Sequence, residues 1–515
     1  MMTDSTPTLA SYDETPYTDL PFAQSHPARL AVMARLFGVD APDVGTARVL
    51  ELGCAVGGNL IPMAVAMPDA HLVGIDLSAR QIADGRRVVT ALGLENIELR
   101  HADIADVDAS YGMFDYIVCH GIYSWVPAAI REKLLTVCNT NLKPNGIAYV
   151  SYNAMPGWGI RGIIRDAMLY HSRNAKNGRD RIRQSREALQ LLSRHLPSDT
   201  PYAAVLRQDL DGLAGVADAY LGHDHLEENN EAFYFHEFVD AAHRHRLQYL
   251  AEAEFSAMAP QIPGELKDTL RRIASDLIAR EQYLDFLHHR SFRQTLLVHA
   301  DVRINRKLEP QTLRHFDIAA AIQPVSSNPV LEQGANEGFR TASGASISTV
   351  SAISKVALLE LGKSWPLALP FDELLTRSRE RLDGRAARVD VAEDARMLGI
   401  EMLQCYAAGV LELRVWSPRL VVNAGERPLA TPLSRLQAQR GFEVTNLLHK
   451  SVTMNAFSRG LLPMLDGARD RAALRALIAE RASTGQLVLP ARTGGLRGIL
   501  DETLVGMGKA ALLVA

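Results

Sequence analysis

The sequence predicts an α/β protein: a Rossmann-like doubly wound sheet, interrupted by a helical insertion and followed by a mostly helical C-terminal region. Three observations carry this. A short apolar run, Val49-Leu50-Glu51-Leu52, ends in the glycine-rich turn Gly53-Cys54-Ala55-Val56-Gly57-Gly58-Asn59, which opens into a helical pattern over 60–67. Further buried-strand patterns recur at helix-length intervals over 72–78, 97–103, 114–119 and 146–151. Beyond about residue 345 helical periodicity dominates, and a chain of 515 residues is long enough for two or three domains.

Taken in order, residues 1–10 are expected to fray. The aromatic stretch holding Tyr12, Tyr17 and Phe22 leads into a helix over 28–37, stopped by Gly38. It either folds over the site as a flap or anchors the chain end to the core. Glycines in the turn after the first strand let a ligand approach the backbone, and the helix N-terminus behind it offers free N–H groups. Asp76 closes the second strand, 25 residues after Glu51, where an acid can accept both hydroxyls of a ribose. Ligands of open α/β sheets sit at the carboxyl ends of the strands. The loop with His120, Tyr123 and Trp125 is therefore a candidate acceptor wall, as are Tyr152, Asn153 and Trp158 after the fifth strand.

Residues 160–230 read as helical and break the strand rhythm. Between Arg161 and Arg194 nine basic residues face three acids, a solvated helix face or an acidic groove. The polar stretch 220–230 is read as a substrate-facing loop, with His223 and His225 as proton acceptors. A helix over 234–246 and a strand over 247–253 resume the sheet, and 292–298 supplies a last strand. Residues 301–344, rich in small residues, are expected to be an irregular linker. Three helices over 346–361, 370–382 and 395–408 and a strand over 410–415 suggest a winged helix, with a second small unit over 454–480. Residues 510–515 are expected to add an edge strand.

The totals describe an ordinary globular chain, 47% hydrophobic and 22% charged, and a net charge of −4 gives no global reason to bind nucleic acid or a membrane. The four cysteines are too scattered for a zinc site or disulfide framework, which points to reduced thiols and a cytoplasmic setting. With no run of 18 apolar residues, neither secretion nor a membrane span is expected.

The dinucleotide fingerprint G-x-G-x-x-G fails here, since the turn reads Gly53-x-Ala55-x-Gly57-Gly58. The turn resembles instead the E-x-G-x-(G/A)-x-G motif of class I S-adenosylmethionine-dependent methyltransferases, whose core is seven-stranded. The whole chain is similar to bacterial methyltransferases with a methyltransferase regulatory domain, among them the rickettsial outer-membrane-protein lysine methyltransferases. The motifs that carry this are Tyr12-Asp13-x-x-Pro16-Tyr17, Gln24-Ser25-His26-Pro27, Glu51 to Asn59, Tyr152-Asn153-x-x-Pro156-Gly157-Trp158, Tyr234-Phe235-His236-Glu237-Phe238 and Phe292-Arg293-Gln294-Thr295-Leu296-Leu297, with Val444-Thr445-Asn446-Leu447 and Leu465-Asp466-Gly467 downstream.

The resemblance implies a methyltransferase domain over 1–300 that binds S-adenosylmethionine, releases S-adenosylhomocysteine and needs no metal. Within it lie the insertion, 160–230, and a regulatory-domain-like part, 216–300; 345–515 would be a winged-helix-like domain. The implied cofactor residues are Tyr12, Tyr17, Glu51, Gly53, Cys54, Ala55, Gly57, Asn59, Asp76, Leu77, Ala102, Asp103, Ile104 and His120, with Asp103 reading the adenine. His120, Tyr123, Tyr152 and Asn153 would act at the reacting centre, and Trp125, Trp158, His223 and His225 would meet the substrate. The implied reaction is displacement by a protein lysine. A small molecule, a peptide, a nucleic acid (disfavoured), or a non-catalytic role as an S-adenosylmethionine binder are the alternatives. The C-terminal region is expected to recognise the acceptor and to be dispensable for cofactor binding.

Overall fold

A computed structural model describes residues 20–227, 229–258, 262–382, 390–490 and 495–514, with the side chains at 219–220 and 223–224 outside the description. Tyr12, Tyr17 and the side chain of His223 lie outside the described residues.

Seven strands form the central sheet: β1 (Arg48–Leu52), β2 (His71–Asp76), β3 (Ile97–His101), β4 (Phe114–Cys119), β5 (Leu142–Asn153), β6 (Leu247–Glu252) and β7 (Phe292–His299). Their order is β3-β2-β1-β4-β5-β7-β6. β1 pairs in parallel with both β2 and β4, while β7 runs antiparallel to β5 and β6. The expected seven-stranded α/β core is therefore present. Strands such as β4, buried along its whole length, read as continuous apolar runs because helices cover both faces. The order reverses between β1 and β4, which opens a crevice at their carboxyl ends.

Between β5 and β6 the chain builds the helices Gly157–His171, Gly178–His195, Pro201–Ala214 and Asp218–His225. Ile164, Met168, Leu189, Leu206, Leu210 and Leu221 give them an apolar core of their own. Among the described residues, three of the nine basic residues are ion-paired: Arg161 with Asp209, Arg183 with Asp180 and Glu187, and Arg186 with Asp218.

Residues 301–344 are not the irregular linker expected. They contribute the short strands Asp317–Ala319, Ile322–Pro324 and Glu337–Thr341, the last pairing with Ser346–Thr349. The reason is burial: Ile318 and Phe339 are fully enclosed and join one apolar core with the helices Pro27–Leu36, Ala352–Ser364 and Val391–Ala407. Ser346–Thr349, read from sequence as the start of a helix, is a strand, and the helix begins at Ala352 behind the Ser351 cap. A separate core, built on Leu461, Leu465, Leu474, Ile478, Leu500 and Leu504, organises the last hundred residues. The chain end there contributes isolated bridges, Ala430 to Leu513 and Leu420 to Val514. Among the described residues no helix is long and apolar enough to cross a membrane.

Candidate active site

The turn after β1 is held open by backbone that few residues adopt. Gly53 has φ +77° and Gly57 φ +84°, with Ala55 between them at φ +50°. The N–H groups of Gly53 and Cys54 both donate to Ile75 O (2.9 Å each), locking the turn to the end of β2. Asp76 clamps it from the same side, its Oδ2 accepting the Ala55 N–H (2.8 Å) and its Oδ1 the Ser78 N–H (2.9 Å). Burial raises the Asp76 carboxyl above the usual range, opposed by those two backbone bonds. Cys54 is buried, and burial pushes its thiol well up, so it packs as a small apolar residue.

Beneath the turn, Glu51 is 3% exposed. Burial lifts its carboxyl to about 8, against a hydrogen bond from Asn59 and aided by the nearby charge of Asp76. Its Oε1 accepts from Asn59 Nδ2 (2.8 Å), whereas its Oε2 is buried with no partner among the described residues. An orphaned carboxylate oxygen costs about 1–3 kcal/mol or more, so it is a place where an ammonium group fits well. The glycine turn, the clamped Asp76 and this oxygen suit an amino-acid-bearing nucleoside.

Leu77, 38% exposed, flanks Asp76. Just past β3, on the same side of the crevice as Asp76, Asp103 is half-buried between Ala102 and Ile104, its Oδ1 accepting from Ala105 N (2.9 Å). His120 leaves the end of β4 and meets the Phe22 ring at 3.9 Å between centroids. Its Nδ1 faces Tyr149 Oη (2.9 Å), and burial lowers the imidazole to about 4, which keeps it neutral at pH 7.

Tyr123 and Tyr152 belong to the apolar core beside β5, 4% and 1% exposed. Tyr152 stacks on Phe238 (4.1 Å) with its hydroxyl against Thr295 Oγ1 (3.2 Å), and Tyr123 packs edge-on to Phe233 and Phe238. The two tyrosines, read from sequence as walls of an acceptor slot, are enclosed in this core. Asn153 is 2% exposed and ties the end of β5 to the exit of the insertion, donating to Asn230 Oδ1 (3.3 Å). The indoles remain: Trp125 meets Trp158 edge-on (6.3 Å), Trp158 stacks on His225 (5.9 Å), and the Arg161 guanidinium lies over Trp158 (5.7 Å). His225 is buried, and burial, then Arg161 and Arg165, lowers it to about 4.

Phe22 was legible only as part of an aromatic leader, and Ser25 only within the motif Gln24-Ser25-His26-Pro27. The structure brings both to Asn59: Phe22 N–H donates to Asn59 Oδ1 (2.9 Å) and Asn59 Nδ2 to Ser25 Oγ (3.0 Å). A third partner, His449, arrives from the C-terminal region with Nε2 at 2.8 Å from Asn59 Oδ1. That region therefore touches the cofactor turn directly.

Gly85, on the helix Ala79–Leu92, backs the turn so closely that a Cβ there would sit 2.5 Å from Val56 O. Gly85→Ala must push the turn toward the crevice. Affinity for S-adenosylhomocysteine should drop about tenfold, as for other overpacking costs of 1–3 kcal/mol. Calorimetric titration checks this; an unchanged constant would mean the helix yields instead.

Three family models match the chain: a methyltransferase domain over 49–146, a predicted methyltransferase regulatory domain over 217–299, and the PKMT C-terminal winged helix domain over 426–501. The last corrects the position read from sequence. The strand Glu412–Arg414 pairs with Asp317–Ala319, so the helices over 352–407 carry no wing of their own. The winged helix is the later unit, with the hairpin Glu443–Thr445 and Ser451–Thr453. The chain is 40% identical over 492 residues to the uncharacterized protein RP789 of Rickettsia prowazekii, covering 93% of this chain and 87% of that one. It is 41% identical over 235 residues to RP028 of the same organism, covering 45% and 94%. Among solved structures, PKMT2 from Rickettsia typhi in complex with AdoHcy superposes with a TM-score of 0.87 at 31% identity, covering 97% of this chain and all of that one. With its methyltransferase domain, regulatory domain and PKMT winged helix in the same order along one chain, the protein belongs to the family of S-adenosylmethionine-dependent methyltransferases that includes these rickettsial proteins.

Proposed function

We propose that this methyltransferase modifies the side-chain amine of a protein lysine. The observation that carries the reading is the end-to-end match to PKMT2, winged helix included, at 31% identity and a TM-score of 0.87. When bound, S-adenosylmethionine supplies a methyl group on a cationic sulfur, open to in-line attack. Glu51 Oε2 would accept the cofactor's ammonium, Asp76 its ribose hydroxyls and Asp103 its adenine amine. Gly53, Ala55 and Gly57 would bring the backbone against it, and Cys54, Leu77, Ala102 and Ile104 would line its flanks. Trp125 and Trp158 would border the approach of the acceptor. A lysine near pKa 10.4 must lose its proton before attack, and desolvation in a closed site favours the neutral amine. His120, neutral at pH 7, adds no positive charge to repel it.

Incubating the protein with labelled S-adenosylmethionine and a lysate, then hydrolysing the acceptors, tests the reading. Label should appear as methyl-lysine; label confined to small molecules would reject it. Asp76→Ala is expected to weaken S-adenosylhomocysteine binding ten- to hundredfold, from loss of charged hydrogen bonds worth about 1.5–3 kcal/mol. Unchanged affinity in a calorimetric titration would show that the ribose is held elsewhere.

A further inference from the structure

The winged-helix hairpin pairs Glu443 with Thr453, Val444 with Val452 and Thr445 with Ser451, and its tip spans 446–450. Asn446 builds that tip: its Oδ1 accepts the N–H groups of Leu448 (3.0 Å) and Lys450 (2.9 Å), and its Nδ2 donates to Ala510 O (2.9 Å). His449 stands at the apex with φ +57° and is only 4% exposed. Its ring packs against His26, 5.1 Å between centroids, and His26 in turn stacks on Trp416 (5.8 Å). The neighbouring Lys450 pairs with Glu412 (2.6 Å), and Glu412 lies 3.8 Å from Arg29. The hairpin tip is thus seated on the helix Pro27–Leu36 and on the cofactor domain.

What it reaches there is Asn59, the residue between the glycine turn and the helix Leu60–Ala66. A carboxamide has two donor hydrogens and two acceptor lone pairs. Asn59 uses all four. Nδ2 donates to Glu51 Oε1 (2.8 Å) and Ser25 Oγ (3.0 Å), while Oδ1 accepts from Phe22 N (2.9 Å) and His449 Nε2 (2.8 Å). With Nδ2 committed to two acceptors, the oxygen assignment follows, so His449 must be the donor and carries its proton on Nε2. Its imidazole is neutral, since burial, then the nearby His26, lowers its pKa well below the usual value.

We propose that His449 is a positioning residue for the cofactor site: through Asn59 the tip of the winged-helix hairpin orients Glu51 and the Phe22 segment, so the C-terminal domain forms part of what binds the cofactor. The inference rests on the cofactor reading given above. Glu51 Oε1 is tied to Asn59, which leaves the unpartnered Oε2 facing away from it, and the same side chain holds the N–H of Phe22, whose ring meets His120. Removing the His449 donor leaves a buried acceptor unfilled and frees the carboxamide to turn. Coupling between sites is reciprocal, so cofactor binding must also tighten the hairpin tip.

The test uses the full-length chain and S-adenosylhomocysteine as probe. His449→Ala should weaken binding at least fivefold. His449→Gln, whose amide N–H can occupy the place of Nε2, should stay within twofold of the wild type. Lys450→Ala, which removes an ion pair of the same tip without touching Asn59, should also stay within twofold. Equal affinity of the alanine variant and the wild type, or equal weakening by all three variants, overturns the inference. Should His449→Ala fail to fold, hydrogen exchange on the wild type decides: amides over 445–451 should exchange several-fold more slowly with the probe bound, and no change refutes the coupling. A wild type that does not bind the probe at all overturns the cofactor reading, and the inference with it.

Discussion

Replacing Arg293 by methionine is expected to destabilise the chain by about 3–5 kcal/mol, a large share of the roughly 5–15 kcal/mol that holds a protein folded. Arg293 is the second residue of β7 and is fully buried. Its guanidinium grips Asp285 through both carboxylate oxygens (2.8 Å each), Glu252 at 2.6 Å and Glu281 at 3.2 Å, and lies 3.7 Å above the Phe235 ring. One cation thus joins β6, β7 and the helices Phe235–Arg244 and Leu277–His288. Methionine fills much of the volume but leaves three buried acids without their shared cation: Asp285 keeps Arg290 at 2.8 Å, Glu252 keeps hydrogen bonds from Gln294 N (2.9 Å) and Thr295 Oγ1 (3.1 Å), and Glu281 loses its ion pair. Lysine would fare little better, because a point charge cannot reproduce the fork that meets Asp285. Burial already raises Glu281 and Asp285 above the ordinary carboxylate range, with Arg293 pulling the other way. Without it their folded values rise further. The native variant then binds more protons than its unfolded state, so its stability falls as pH rises. Urea unfolding between pH 5 and 8 should show the deficit largest at the alkaline end. A variant as stable as the wild type, or one with no pH trend, would mean the acids find other partners.

Arg293 also illustrates how the sequence was readable. The motif around it was visible, as was Tyr234-Phe235-His236-Glu237-Phe238, but not that the two meet as guanidinium over ring. The cofactor turn and Asp76 were legible because their chemistry is local: glycines at fixed spacing, and an acid closing the next strand. Tyr152 was misread because its strand was taken to stop before it. β5 runs on to Asn153, and with a period of two Tyr152 shares the buried face of Ala148 and Val150. That alternation was available in the sequence. The strands of 301–344 were hidden by their shortness, three to five residues each. The winged helix was misplaced because Glu412–Arg414 finds its partner almost a hundred residues upstream. The contact of His449 with Asn59 spans 390 residues, and no local pattern announces it.

The most severe single change at the site itself should be Gly53→Val, with at least a hundredfold loss of affinity for S-adenosylhomocysteine and little loss of fold. Gly53 follows β1 immediately and sits at φ +77°, where a side chain costs about 1–2 kcal/mol and a β-branched one more. Space is also lacking. A Cβ there would lie 2.2 Å from Ile122 Cδ1 and 2.7 Å from its Cγ1. Ile122 belongs to the loop between His120 and Trp125, so relieving the clash moves the wall that faces the turn. The backbone cannot retreat the other way, because Gly53 N–H is held by Ile75 O at 2.9 Å. At Gly57 the contacts are looser, a Cβ there lying 3.2 Å from side-chain ends of Ile61 and Leu99. Gly57→Ala should therefore cost less than Gly53→Val. Because the strain falls on a turn at the edge of the crevice, circular dichroism should report a native spectrum while titration reports the loss. A valine variant that binds within threefold of the wild type would show that the cofactor does not approach the backbone at Gly53.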